Sequence, residues 1–551
     1  MLMSTAGACR VRRSLSDLQA DYDAGKTESL DTLMRAWRGI KALPPTDPQS
    51  FFMLGGFHGE PFRGPGSTNS AWWGGYCQHG TVLFPTWHRV YLLKLEDALR
   101  SIPGCESVTL PFWDECSLQS QQNGIPRALT DEKWLLDGEW IDNPLRSFVL
   151  PMAIQDDLAS DDGSNPDAPN YSKPAGYETV RYPLSGLVGT DKDRRDTLDH
   201  NAGFPNYAAN VKTLDANIMA WLTMPVGSGD QPRGLVVDRF IACLDAPAYT
   251  LFSNTTSQKA WNKAHPQGLR YVVSIEDPHN LIHLAVGGYS VPGSRISPIA
   301  GANGDMGEND TAALDPIFYF HHCFIDYTFW IWQQRHGCTK HFTIDPQDPG
   351  SYYDSSTAPP PAGANLGDQL SMSTPLLPFT RPDGSSYVSH DCVDIVSQLG
   401  YSYGPGSLDG YAKQSPAPPT ATPPAHRRSL LVSGLDRSKI PGSFIIAAYA
   451  FDREGRHELI GVDAVLSRWM VQGCANCQSR LRVGSIFPLP PDLAAEAVKV
   501  VVHTRHGAAV RQPQGVGSQA EEAAQSLSMV SAGQLHASSE PLALTFHVQI
   551  I

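Results

Sequence analysis

Two adjacent histidines inside an almost unbroken aromatic run constrain this chain more than any other feature. The run is Asp315-Pro316-Ile317-Phe318-Tyr319-Phe320-His321-His322-Cys323-Phe324-Ile325-Asp326. Asp315 suits an N-cap, and Pro316 suits the first helical position, where its missing N–H costs nothing. The apolar pattern continues through Trp330 and Trp332 to Arg335-His336-Gly337, a basic last turn followed by a glycine stop. The stretch therefore reads as a buried helix of about five turns. Two imidazoles in such a setting are costly unless both are partnered, and a metal ion is one partner that satisfies them.

The segment Glu276-Asp277-Pro278-His279-Asn280-Leu281-Ile282-His283 has the same grammar, with Asp277 as N-cap and Pro278 in the first turn. His279 and His283 stand at i and i+4, on one helix face, and are able to grip one metal. Glu276 lies before the pair rather than between its members, unlike the zinc-protease arrangement. Gly287-Gly288 ends this helix. A third group comprises His58 and His79, in Gly-rich loops, and His88, near the start of a helix. His88 shares a stripe with Leu92, Leu95 and Leu99, so it points into the core.

The totals bound the rest. At 551 residues the chain suits about two to four domains. A net charge of -14 argues against a sequence-independent nucleic-acid surface, and no apolar run reaches membrane-spanning length. The N-terminal residues lack an apolar core of signal-peptide length, so a cytoplasmic location is the expectation. Ten irregularly spaced cysteines are no disulfide scaffold. Residues 14–42 look helical, and Arg12 and Arg13 before them read as a solvated surface pair. Residues 115–270 are loop-rich, with helical pieces at 208–222 and 236–245 and no evident chemistry. His200 and His265 read as surface residues. The Pro-rich stretch divides the chain into residues 1–403, a linker at 404–437, and residues 438–551. Beyond the linker, strands are expected at 443–451, 459–465, 481–487, 497–503 and 542–551, forming a β-sandwich, with a mobile loop at 509–535.

Histidine-only sites suit copper, zinc or iron. Six imidazoles, namely His58, His79, His88, His279, His283 and one of His321 and His322, suggest two metals with three ligands each and open positions between them. Spacing alone does not choose between His321 and His322.

These three histidine groups resemble the type-3 copper family of tyrosinases, catechol oxidases and molluscan-type haemocyanins, over roughly residues 10–405. The resemblance implies a mainly α domain, an antiparallel four-helix bundle, with His58, His79 and His88 on one copper and His279, His283 and His322 on the other. His321 is then a core residue behind the ligands. Cys77-Gln78-His79 matches the fungal Cys-x-His, implying a thioether between Cys77 and His79. Glu276 and Asn280 correspond to the pair that holds a proton-accepting water, and Phe318 to the aromatic that narrows access. Pro111-Phe112-Trp113-Asp114 and Tyr401-Ser402-Tyr403 resemble structural motifs of the family, the latter often contacted by an N-terminal arginine such as Arg12 or Arg13. The C-terminal β-domain resembles the lid of latent long-form enzymes. Trp469 is the first candidate for the side chain that enters the substrate position, with Leu466, Val465 and Met470 as others. Cys474-Ala475-Asn476-Cys477 suggests copper delivery, because soft thiolates select Cu(I).

The implied activity is a latent polyphenol oxidase that hydroxylates monophenols and oxidises ortho-diphenols to quinones with dioxygen, as in melanin formation. Its partners are small phenols, with no nucleic acid or membrane, a lid within the same chain, and scope for a homo-oligomer. The competing readings are a catechol oxidase without monophenol hydroxylation, a haemocyanin-like dioxygen carrier, and a binuclear zinc hydrolase. The last is disfavoured by the lack of bridging carboxylates in the motifs.

Overall fold

The computed structural model describes residues 9–59, 75–155, 172–186, 191–226, 233–265, 271–290, 297–298, 303–353, 369–416, 428–451, 457–469, 471, 475–478, 480–489, 497–505, 507–513 and 544–551. Its N-terminal part is helical and its C-terminal part is a β-sandwich. The helices that frame the histidines are α1 (Glu28–Ala42), α2 (Phe84–Arg100), α3 (Tyr207–Thr223), α4 (Glu276–Gly287) and α5 (Ile317–Arg335). Helix α2 packs between α1 and α5, while α4 lies against α3 and faces α2 and α5 across the histidines.

Helix α5 is buried from Ile317 to Gln333, as an all-round apolar helix must be. It starts one residue later than its cap signal suggests. Asp315 still caps it, accepting the Ile317 N–H at 3.1 Å, while its carboxylate also pairs with Arg181 at 2.6 Å. The start of α4 differs more. Asp277 is not its N-cap, because the helix already begins at Glu276. Asp277 instead accepts from Arg239 and from Gln258, the latter at 2.8 Å, and Pro278 sits within the first turn, where no N–H is needed. The N-terminal helical region is two helices, Leu15–Asp23 and Glu28–Ala42, parted at Gly25, whose φ of 85° suits glycine.

Arg12 is not a surface residue. Strand β1 (Arg10–Arg12) pairs in parallel with β2 (Tyr401–Tyr403), which carries Arg12 into the core. There it is fully buried, bonded to Glu96 at 2.7 Å and stacked 3.7 Å over the Tyr401 ring. Tyr401 and Tyr403 each donate to Asp326 of α5 at 2.6 Å, and Arg89 of α2 donates to its other oxygen at 2.5 Å. The arrangement ties the chain's beginning and residues 401–403 to the two central helices. Arg13 keeps the surface role, pairing with Asp21 at 2.8 Å.

The C-terminal domain consists of β3 (Arg428–Asp436), β4 (Phe444–Phe451), β5 (His457–Val465), β6 (Arg482–Leu489), β7 (Val498–Thr504), β8 (Gly507–Arg511) and β9 (His547–Ile550). Two antiparallel sheets, ordered β6-β3-β9 and β5-β4-β7-β8, form the sandwich. The linker expected at 404–437 is therefore too long. Residues 428–436 form the central strand of one sheet, and Leu430, Val432 and Leu435 point into the core of the sandwich. Residues 509–511 of the expected loop belong to β8, and 514–543 lie outside the described residues.

Strand β4 is buried on both sides. Phe444, Ile446 and Ala448 fill the sandwich, whereas Ile445, Ala447 and Tyr449 join the core of the helical domain, with Leu459, Val462 and Ala464 of β5. Alternation along a strand sends one set of side chains to each core, which explains the continuous apolar run. Among the described residues, no helix is long and apolar enough to cross a membrane.

Candidate metal centre

Each histidine is placed by a different local device. His58 follows the short helix Phe51–Gly56, which Ser50 caps by accepting the Met53 N–H. His79 sits in a turn before α2, and His88 lies in the first turns of α2. His279 and His283 project from α4, and His321 and His322 from α5. The rings converge. His58 and His79 are 5.2 Å apart, His79 and His88 5.5 Å, and His88 stacks on His322 at 4.3 Å.

The ring nitrogens show what this cluster lacks. Nδ1 of His58, His88 and His283 faces the carbonyl oxygens of Asn309, Phe84 and Met306 at 3.3, 2.8 and 2.8 Å. A carbonyl only accepts, so in each ring Nδ1 carries the proton and Nε2 holds a bare lone pair. Nδ1 of His279 is held likewise by Oδ1 of Asn280 at 2.9 Å. Nε2 of His58, His79 and His88 is buried without a hydrogen-bond partner. Nε2 of His279 and of His283 lies 3.2 and 3.3 Å from Nε2 of His322. Lone pairs converging in a dry pocket repel unless a cation lies between them. Anchored Nδ1 with open Nε2 is the arrangement that outer partners impose on metal-binding imidazoles.

Electrostatics agrees. Burial drives the pKa of every one of these imidazoles below the ordinary histidine value, that of His88 to about 3 and that of His283 to about 4. All are neutral near pH 7, the form that binds metal.

The remaining expected residues fall around this centre. Cys77 is buried, and its Sγ lies within 4.8 Å of ring nitrogens of His58 and His79. Phe318 stands between the two halves, 4.0 Å from the His322 ring and 4.9 Å from that of His58. Glu276 is buried and accepts three hydrogen bonds, from the Gly80 N–H at 2.8 Å and from the Thr255 N–H and hydroxyl at 2.8 and 3.0 Å. Burial nevertheless raises its pKa. Glu276 thus joins the loop carrying His79 to the helix carrying His279.

The C-terminal domain reaches the centre through the segment after β5. Leu466 and Trp469 are buried, and the guanidinium of Arg505 covers the Trp469 indole at 3.9 Å, whereas Val465, also expected here, packs inside the sandwich core as the last residue of β5. Arg468 pairs with Asp310 at 2.9 Å, and the Trp469 N–H donates to the same carboxylate at 2.8 Å. Arg505 pairs with the buried Glu308. Ser467 O accepts the Asn309 N–H at 3.1 Å, and Asn309 in turn holds His58 and donates its side chain to Cys77 Sγ at 3.4 Å. Asn476 donates to the carbonyls of Cys77 and His79 at 3.3 and 3.1 Å, which brings buried Cys477 to that loop. Met470 and Cys474 lie outside the described residues.

Sequence reasoning missed Glu115 and Asn309. Glu115 lies in the region that reads as free of chemistry, yet it is fully buried with Oε1 2.5 Å from Nδ1 of His321. Its signal was an acid directly after the apolar Pro111-Phe112-Trp113-Asp114 segment. Asn309 acts partly through its backbone, which no residue pattern reveals.

Helices holding imidazole-only metal positions, with a sandwich docked over them, define a histidine-ligated metalloprotein with a covering domain. The family model for the common central domain of tyrosinase matches residues 48–335. The chain is 47% identical to tyrosinase HcTyr2 of a Hahella species over 88% of its length and 90% of that protein's. It is 42% identical to an Aspergillus oryzae tyrosinase, covering 87% and 88% of the two chains. Its fold superposes on Burkholderia thailandensis tyrosinase with a TM-score of 0.75 and 48% identity, covering 90% and 94%. The latent and active mushroom tyrosinase structure shares the fold at a TM-score of 0.56 and 19% identity. The chain belongs to the tyrosinase family. It is thus a polyphenol oxidase, and the family implies a type-3 binuclear copper centre with which both histidine groups are consistent.

Proposed function

We propose that this chain hydroxylates monophenols and oxidises ortho-diphenols to quinones with dioxygen, and that its C-terminal domain keeps it latent. The observation that carries the reading is the set of buried Nε2 atoms without partners on His58, His79 and His88, facing the Nε2 trio of His279, His283 and His322. These two sets would each hold one copper ion. Bound there, a copper pair supplies the two electrons that dioxygen reduction requires and a Lewis-acid site for the phenolate.

The chain's own residues do the rest. Phe318, wedged between the halves, walls the cavity with an apolar face against which a phenol ring packs. A phenol titrates near 10, so its proton needs an acceptor. Glu276 has one carboxylate lone pair left after its three bonds, and Asn280, with Oδ1 committed to His279, keeps its NH2 group free to donate. Together they hold a water that takes the phenolic proton. A thioether between Cys77 and His79 locks that ring. Trp469 or Leu466 fills the substrate position until the C-terminal domain moves, and Cys474 and Cys477 pass copper to the adjacent loop.

The test is to load the protein with copper, cut within 417–427, and follow quinone formation from a monophenol and a diphenol. Turnover of both after cleavage, and of neither before it, is expected. Oxidation of diphenols alone is the second reading, favoured by the three donors already on Glu276. Turnover of the diphenol only would select it.

A further inference from the structure

The half of the site on α4 and α5 contains more imidazoles than a three-ligand copper needs. One ring nitrogen from each of His279, His283, His321 and His322 lies within 4.8 Å of those of the other three, and all four residues are buried. His321 stacks on His279 at 5.1 Å and meets His283 edge-on at 5.1 Å. Its Nδ1 lies 2.5 Å from Oε1 of Glu115, and its Nε2 is buried without a hydrogen-bond partner. A carboxylate behind Nδ1 and an open Nε2 in front are the usual setting of a zinc-binding histidine. His321 thus shares the anchored-Nδ1, open-Nε2 arrangement of His58, His88 and His283, with a stronger anchor than theirs.

The spacing points to the ion. A tetrahedral zinc with Zn–N bonds of about 2.0–2.1 Å has ligand nitrogens about 3.3–3.4 Å apart. The Nε2 atoms of His279 and His283 already stand 3.2 and 3.3 Å from that of His322. A ring nitrogen of His321 lies within 4.8 Å of theirs, so a small shift of the ring completes the shell. Zinc favours such closed four-ligand shells, whereas a copper that must meet oxygen and phenol needs an open position. The first half, with His58, His79 and His88, has no carboxylate-backed fourth imidazole among the described residues.

We propose that this half doubles as a closed four-imidazole zinc site, with His321, oriented by Glu115, as the fourth ligand. Zinc held there is a dead-end occupant that copper must displace during loading. The inference rests on the assignment of His279, His283 and His322 to the second metal.

The experiment titrates metal-free full-length protein with Zn2+ against a chromophoric chelator and measures the zinc K-edge absorption of the one-equivalent complex. The wild type is expected to show four imidazole nitrogens. His321→Gln is expected to weaken zinc by about 10–100-fold, leaving three imidazoles and one oxygen, with Cu(I) affinity changed less than about threefold. Glu115→Gln, which keeps the shape and removes the charge, is expected to weaken zinc in the same direction if His321→Gln does not fold. His341→Gln, at an exposed imidazole, is the control and leaves this affinity unchanged. A three-imidazole zinc shell in the wild type, or equal zinc affinity in His321→Gln or in Glu115→Gln, overturns the proposal while leaving the copper assignment intact. Failure of the protein to bind either metal overturns both.

Discussion

The two halves of the histidine centre are built by opposite means. His279, His283 and His322 stand on two buried helices, and helix periodicity and core packing set their positions, with Asn280 and Met306 fixing the rings of His279 and His283. His58 and His79 stand on connecting segments, and what holds them comes from elsewhere. Asn309 anchors His58, Glu276 pins the turn after His79, and Ser467 and Asn476 reach in from the C-terminal domain. One half is thus shaped by the core and the other by its neighbours. The difference teaches that the C-terminal domain braces the half that is not held by helices alone, a role separate from the proposed latency.

The first way to break this contrast is to remove a helix-borne ligand. His283→Asn is expected to leave the fold intact, to lose one copper of two by metal analysis, and to lower quinone formation more than about 100-fold. Copper retained at two per chain would show that α4 does not carry the second position.

A second variant loosens the brace. Asp310 is buried with Arg468, so Asp310→Asn leaves a buried cation short of its counter-charge, at a cost of about 3–5 kcal/mol. The uncut protein is then expected to gain about tenfold in diphenol oxidation and to alkylate faster at Cys77, while the α4–α5 half keeps its metal. Equal metal loss from both halves would erase the distinction.

Glu276→Gln tests the strut between the halves. Its amide NH2 cannot accept, so the donors of Gly80 and of Thr255, which sit on different carboxylate oxygens, cannot both be satisfied, and about 1–3 kcal/mol of stability should be lost, visible as a lower Tm. Monophenol turnover should fall more than diphenol turnover. An equal fall in both would mean that Glu276 only positions His79.

The smallest effect concerns pH. His503 lies on the face of β7 turned to the helical domain, where Tyr449 faces its Nε2 at 3.3 Å, and burial lowers its pKa to about 4. The docked form therefore binds fewer protons than the released form, in which the ring titrates near 6.5. Docking weakens as pH falls from about 6.5 to about 4 and is unaffected above that window. The open fraction of uncut protein, read as diphenol oxidation corrected for the cut enzyme at each pH, should rise across it, and His503→Gln should flatten the rise.

Legibility followed the same division. The helix-borne half was readable because i, i+4 spacing and a capped apolar run are local signals, and the structure confirms α4 and α5. The β-sandwich was readable from β-branched runs, but β3 was lost to the linker because Arg428–Asp436 follows directly on prolines and basic residues. Charge alone made Arg12 look solvated, whereas the family's tyrosine motif pointed to an arginine at Tyr401–Tyr403, and the parallel pairing with that strand buries Arg12 against it. Asn309 and Glu115 act across 251 and 206 residues of chain, on His58 and His321, so nothing local names their partners, even though Glu115 stands directly after an apolar motif.

The strand with two apolar faces has a consequence for switching. When the sandwich departs, Ile445, Leu459 and Val462 meet water, each forfeiting about 1.5–3 kcal/mol of burial. A freed sandwich is therefore sticky, prone to clump with others like it or to seek a surfactant. Under the proposed latency, activation runs like a seal broken once, with the discarded half consumed rather than returned.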